Sequence, residues 1–204
     1  MSLDGYVAGP NQSVENPLGE GGERLHKWAF AVRNFRELHG MEGGTTGPND
    51  EIAAESLRDI GATIMGHHMF GGGGGPWGDD GWWGENPPFH TPVFVLTHHP
   101  REPLEMEGGT TFHFVTDGIH TALERAKDAA GGQDVNLGGG ADVAQHYLRA
   151  GLIDEMKIHV MPVLLGDGAQ LFDHTDGPQT TYECVGVVNS RRSVTTSTVC
   201  ESST

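Results

Sequence analysis

This 204-residue chain is short of cysteine, of positive charge and of long apolar runs. Its two cysteines, Cys184 and Cys200, stand in no metal-ligating spacing, so neither a zinc module nor a disulfide framework is expected. Both fall in the last strand-like segments, where a cross-strand pair is sterically conceivable. Two reduced thiols are the expectation for a cytosolic protein. Lysine occurs only at 27, 127 and 157, and the formal net charge is −16. Such a surface repels nucleic-acid phosphates and anionic membranes, and no local basic stripe offsets it. No apolar run approaches the ~20 residues of a membrane span. The N-terminus has no charged region followed by an apolar one, so no signal peptide is read and a cytoplasmic protein is expected. The hydrophobic fraction is only 36%, but 32 glycines and 11 prolines point to loops rather than to a chain that cannot fold.

What is present is an alternation of apolar strand-like runs and amphipathic segments, read as one domain over 1–204. Asp4-Gly5 is a turn signal, and so few residues precede it that the first strand reads as truncated. Leu25, Trp28, Val32, Phe35 and Leu38 predict one helix over 24–39, stopped at Gly40. Asn49 or Asp50 caps a helix carrying Ile52, Ala53, Leu57 and Ile60. Ala62–Met65 is a strand. Residues 71–92 form a long loop rich in glycine, proline and tryptophan. Val93–Thr97 is a buried strand, 102–111 a polar loop and Phe112–Val115 a strand. Asp117 caps a helix with Ile119, Leu123 and Ala126. Val135–Leu137 is a strand that breaks into three glycines, and a helix follows with Val143, Tyr147 and Leu148 inward. A strand from Ile153 ends at Gly166. Two β segments, Tyr182–Val188 and Ser193–Cys200, close the chain as an antiparallel edge hairpin. The pattern predicts an α/β fold with a mostly parallel sheet covered by helices.

The chemistry concentrates where strands end. Val135–Leu148 (VNLGGGADVAQHYL) runs a strand through Gly138, Gly139 and Gly140 into the helix that starts with Ala141, Asp142 and Val143. That geometry presents free N–H groups and a positive helix end to a pyrophosphate. The spacing is not the Rossmann fingerprint, which needs a third glycine and a later acidic residue. A tight packing turn is the competing reading. A second strand end, IMGHHMF, offers Gly66, His67 and His68. A third, LTHHPR, offers Thr97, His98, His99 and Arg101, a group able to hold the 2′-phosphate that marks NADP. The histidine pairs suggest no metal, because adjacent strand residues point to opposite faces.

SLDGYVAG, MGHHMFG, VFVLTHHP and VNLGGGADVAQHYLRAGLIDEMKIHVMPVLLGDGAQLF together resemble the dihydrofolate reductase-like superfamily. Within it they look like the reductase domain of the bifunctional riboflavin-biosynthesis deaminase-reductase and its stand-alone relatives. The resemblance implies a dihydrofolate reductase-like three-layer sandwich, a homodimer, and NADPH as hydride donor. It implies cofactor contacts at Ala8, at Gly66, His67 and His68, at Thr97 and His98, and at Gly138 to Val143. It implies substrate contacts at Leu3, Asp4 and Gly5, and at Val163, Leu164, Leu165 and Gly166. The expected substrate is a small pyrimidine- or pterin-like heterocycle. Histidine stands at 67–68 where the family often has arginine, a stronger phosphate anchor.

Asp4 is the catalytic candidate, able to orient an amino-substituted ring or donate a proton; a carboxylate that only caps its own turn is the plain alternative. Trp77, Trp82, Trp83 and Phe89 could form an aromatic lid, or simply pack among themselves. Three function classes follow: a reductase, a non-catalytic dinucleotide-binding protein, and a flavin or metal carrier. A true dihydrofolate reductase would need an acid on the first helix facing the ring, but Glu37 lies late in that helix and Glu23 just before it.

Overall fold

The computed structural model describes residues 1–13, 15–71, 83–173, 181–189 and 196–202. The fold is α/β, with a mostly parallel five-stranded sheet, an antiparallel three-stranded sheet and a two-stranded pair. Contacts divide it into two compact units, one of residues 57–144 and one of residues 1–56 with 145–204.

The 57–144 unit holds β2 (Ile60–Gly66), β3 (Pro92–Leu96), β4 (Leu104–Glu105), β5 (Thr111–Val115) and β6 (Asp134–Gly139). The first strand of the chain, β1 (Tyr6–Ala8), belongs to the other unit. The five strands lie in the order β4-β5-β3-β2-β6. All pairs are parallel except β4 with β5. A continuous apolar run makes a strand buried on both faces, and β2 is buried from Gly61 to Gly66. One face carries Met65, Val93, Val95 and Phe112 in a cluster with Phe70. Phe70 meets Phe112 edge-on at 4.9 Å and Phe114 at 5.3 Å, a favoured geometry for ring pairs. The helix α5 (Ile119–Ala130) packs on β2, β3 and β6 through Ala122, Ala126 and Ala130. Their i, i+4 spacing puts three small side chains on one stripe and brings the helix close to the sheet.

Several boundaries differ from the sequence reading. β4 lies inside the segment read as a polar loop. The N-cap of α5 is Gly118, and Asp117 instead pairs with Arg125 at 3.6 Å. β6 runs on through Gly138 and Gly139, because the parallel ladder with β2 continues to Met65↔Gly139.

In the other unit, the single helix read over 24–39 is two: α1 (Glu23–Ala31) and α2 (Arg33–Leu38). Val32 between them is extended and 1% exposed. Thr45 takes the flanking backbone groups, its N–H donating to Ala31 O at 2.8 Å and its carbonyl accepting from Arg33 N at 3.0 Å. A tertiary partner thus replaces the helical bonds that local spacing would have made. α3 (Pro48–Glu55) begins with proline in its first turn after Gly47, so neither Asn49 nor Asp50 is its cap. Asp50 is buried and instead caps α2, accepting from Asn34 N at 2.6 Å and pairing with Arg33 at 3.4 Å.

The same unit holds an antiparallel sheet ordered β7-β10-β9, from β7 (Glu155–Val160), β9 (Tyr182–Asn189) and β10 (Thr196–Ser202). This is the expected C-terminal hairpin, with β10 also paired to β7. β7 stops before the expected Gly166. Pro162 has no N–H for a ladder, and Val163 N turns back to Met161 O at 2.8 Å. A short strand that the sequence did not announce, β8 (Ala169–Gln170), pairs with β1. Gly168 makes that pairing possible, since a Cβ there would stand 2.1 Å from Ala8 O.

Candidate functional site

Three of the four parallel strands put their carboxyl ends side by side. Gly66 pairs with Leu96 of β3, and Met65 pairs with Gly139 of β6. Gly66, Thr97 and Gly138–Val143 therefore share one end of the sheet, as the sequence reading required. Two helices start there, α4 (His67–Phe70) from β2 and α6 (Ala141–Arg149) from β6. His67 and His68 thus stand on a helical turn rather than on the strand assumed in the sequence reading.

The glycines do different work. Gly139 has φ +118, a conformation that side-chain-bearing residues rarely adopt. The peptide bond between Gly139 and Gly140 is cis. Gly66 is extended, and a Cβ there would meet Val143 Cγ2 at 2.8 Å. Gly138 faces Thr63 Cγ2, 3.3 Å from where its Cβ would be. By contrast a Cβ on Gly140 would meet nothing within 4 Å, and Gly140 is exposed. So Gly66 is a packing glycine that seats the first turn of α6, Gly138 packs against β2 and Met69, and Gly140 leaves open space beside it. Gly140 O accepts from Ala144 N at 3.0 Å, which leaves the N–H groups of the preceding turn as the free donors of a helix start. Asp142 in that turn is exposed.

A polar cluster stands at the ends of β2 and β3. Buried Thr97 is its hub: its hydroxyl is 3.0 Å from His67 Nδ1 and accepts from His99 N at 3.0 Å. The His67 ring meets that of His99 at 5.9 Å and that of His68 at 6.3 Å, both edge-on. Burial, then the neighbouring His68 and His99, lower the His67 pKa below its ordinary 6.5. His67 is therefore neutral at pH 7 and offers a hydrogen bond rather than a charge. His98 is exposed, and His99, which belonged to the strand-end group but not to the contacts implied by the resemblance, is the one against His67. Strand alternation ends at Leu96, so parity no longer says which of two adjacent histidines faces inward. Arg101 lies over the Phe114 ring at 5.2 Å.

The residues proposed for substrate come together in the other unit. Leu3 N donates to Val163 O at 2.9 Å. The Asp4 carboxylate accepts from Gly166 N at 2.8 Å and from Leu165 N at 3.2 Å. The Ser2 hydroxyl most of all holds Asp4 below the usual carboxylate range; desolvation opposes it, and the Gly166 and Leu165 N–H groups add to the lowering. Ser2 is fully buried, and its Oγ also accepts from Tyr6 N at 2.8 Å; this residue of the SLDG turn was missed as a site residue. Gly5 O accepts from Leu171 N at 3.0 Å. Leu3 and Leu164 are 62% and 64% exposed. The turn thus presents two bare leucines beside an anchored anion. Ala8 lies in β1, 8% exposed and paired with Ala169.

Other candidates separate from these groups. Trp83 stacks edge-on with Phe89 at 4.7 Å, and both pack on the Phe112 cluster. Trp77 and Trp82 lie outside the described residues. Glu37 is ion-paired with Arg33 at 3.7 Å on the surface, and Glu23 is exposed. A cavity of about 210 Å³ near His26, Trp28 and His159 is lined by none of the residues selected from the sequence.

The family model of the RibD C-terminal domain matches residues 1–196. The chain belongs to that family. The solved structure of a protein from Shewanella sp. PV-4, described as a riboflavin biosynthesis protein, covers 100% of this chain with 96% of its own length. Its TM-score is 0.62 at 21% identity, which establishes the fold. A pyrimidine reductase-like protein from Corynebacterium diphtheriae covers 78% of the chain with 83% of its own, at TM-score 0.51 and 12% identity. The uncharacterized protein YyaP of Bacillus subtilis is 36% identical over 59 residues, which is 29% of this chain and 31% of that protein. The chain shares the fold of these two solved structures. Among the described residues no helix is long and apolar enough to cross a membrane.

Proposed function

We propose that this RibD C-terminal domain protein is a reductase of a small pyrimidine- or pterin-like heterocycle, with NADPH as its hydride donor. The observation that carries the reading is the convergence of Gly66, the His67–Thr97 pair and Gly138–Val143 at three adjacent strand ends. Ligands of open α/β sheets bind at such ends. The residues fit a dinucleotide: Gly140 leaves room where any Cβ would intrude on an approaching pyrophosphate, and the first-turn N–H groups of α6 supply its donors. Thr97, His67 and His98 are the groups available to a ribose 2′-phosphate. When bound, the nicotinamide supplies the hydride.

Asp4 does the positioning on the substrate side. Its lowered pKa makes it an acceptor at neutral pH, not a proton donor. Its two backbone bonds hold Leu165 and Gly166, and a remaining lone pair can accept from a ring amino group. Leu3 and Leu164 offer apolar contact to a planar ring. The homodimer implied by the resemblance belongs to the same proposal and is read by light scattering.

Fluorescence titration with NADPH and NADH tests the cofactor, followed by NADPH oxidation across a panel of aminopyrimidines and pterins. Tighter binding of NADPH than NADH, with oxidation on one panel member, supports the proposal. Binding of neither dinucleotide overturns it. Binding without oxidation on any panel member favours a non-catalytic dinucleotide-binding protein.

A further inference from the structure

Cys184 and Cys200 are the chain's two cysteines, and the β9–β10 ladder sets them directly opposite each other. The pairing runs from Thr196↔Asn189 to Val199↔Gly186, slips past Val185, and resumes with Cys200↔Cys184 and Glu201↔Glu183. Residues opposed in an antiparallel ladder have Cα atoms about 4.5–5.5 Å apart. A disulfide requires roughly 4.4–6.8 Å. The pairing thus sets the two positions opposite each other, where a regular ladder spacing falls within that range. Cys184 is exposed, and its thiol donates a long bond to Gly186 O at 3.7 Å.

We infer that Cys184 and Cys200 are a redox-active pair that closes into a cross-strand disulfide. The oxidant is a low-molecular-weight disulfide such as oxidised glutathione. One cysteine thiolate attacks it, forming a mixed disulfide and releasing the first small thiol. The second cysteine thiolate attacks the protein-side sulfur, the mixed S–S bond breaks, and the second small thiol leaves. Two protein thiols are oxidised by two electrons, one small disulfide is reduced to two thiols, and the protein protons pass to those thiols. The bond would fasten β10, the middle strand of β7-β10-β9, to the edge strand β9. Cross-linking restrains the unfolded chain, so the oxidised hairpin should resist melting and proteolysis.

The test uses the full chain, reduced and then equilibrated with glutathione mixtures of increasing oxidation. Alkylation under denaturing conditions and intact mass count the free thiols. The expected result is simultaneous loss of both thiols in a monomeric chain, a proteolytic fragment joining the two strands, and a higher Tm. Cys184→Ser and Cys200→Ser should each abolish the fragment and the Tm gain. Thiols that stay alkylatable in excess oxidised glutathione overturn the inference. So does oxidation that yields only glutathione adducts or disulfide-linked dimers. The wild-type measurement decides the matter even where a serine variant folds poorly.

Discussion

Gly66→Ala probes the joint between the second strand and the helix that follows the glycine run. Gly66 is extended at φ −84 and ψ 161, which any residue adopts, so the substitution brings no backbone strain. Its cost is steric: the new Cβ would lie 2.8 Å from Val143 Cγ2. A valine in a helix has one strongly preferred χ1, so the methyl cannot swing aside and the first turn of α6 must shift. Overpacking of this kind costs about 1–3 kcal/mol. At this chain length that corresponds to a fall in Tm of about 2–12 °C. If the same turn seats a pyrophosphate, its displacement should weaken NADPH by about tenfold, the equivalent of ~1.4 kcal/mol. Val143→Ala removes the offending methyl. Gly66→Ala should then cost little in that background, and the cycle should show about 1–3 kcal/mol of coupling. Thermal melts of the four proteins measure the coupling, and titrations measure the affinity. Additive costs would refute the steric account. Lost stability with unchanged NADPH affinity would show that the phosphate seat lies elsewhere.

Thr97→Val keeps the shape but removes the hydroxyl shared by His67 and His99 N. It should cost about 1–3 kcal/mol, because a buried polar partner is left unsatisfied, and should weaken NADPH more than NADH in parallel titrations. Asp4→Asn should leave NADPH binding intact and lower turnover with a raised KM, since the amide cannot accept equally from Leu165 N and Gly166 N; unchanged kinetics would remove Asp4 from the mechanism. His159 is held neutral chiefly by burial, with pKa lowered from 6.5 to about 4. The unfolded chain then binds a proton that the folded chain does not as pH falls below 6.5. Stability should therefore be full above that value and decline toward pH 4, by about 3 kcal/mol for this group alone. Burial also lowers His26, His67 and His113, with the same sign. Urea midpoints across this range should flatten in His159→Gln; an unaltered slope would acquit His159.

Much of this protein was readable from local pattern. β2 and β3 were visible because they are short apolar runs bounded by glycine, proline and polar residues. The glycine run after Leu137 announced a strand-to-helix turn, and the motifs around it named the family. The terminal hairpin followed from strand composition on either side of a polar turn. Elsewhere distant partners overrode local preference. Val32 continues a helical spacing, yet Thr45 draws its neighbours into extended pairing. Asp50 reads as the cap of its own helix and caps another. β8 is two residues long and exists only because β1 pairs with it.

The sequence by itself determined which segments become strands and helices, and which strand ends carry glycine, hydroxyl and imidazole groups. Those properties depend on neighbours a few residues apart. Tertiary structure decided which groups meet: that His99 rather than His98 stands against His67. It decided that Asp4 accepts from Leu165 and Gly166, and that Cys184 and Cys200 are register partners in one ladder. Such pairings depend on sheet register and on contacts between residues far apart in the chain, which no local periodicity encodes.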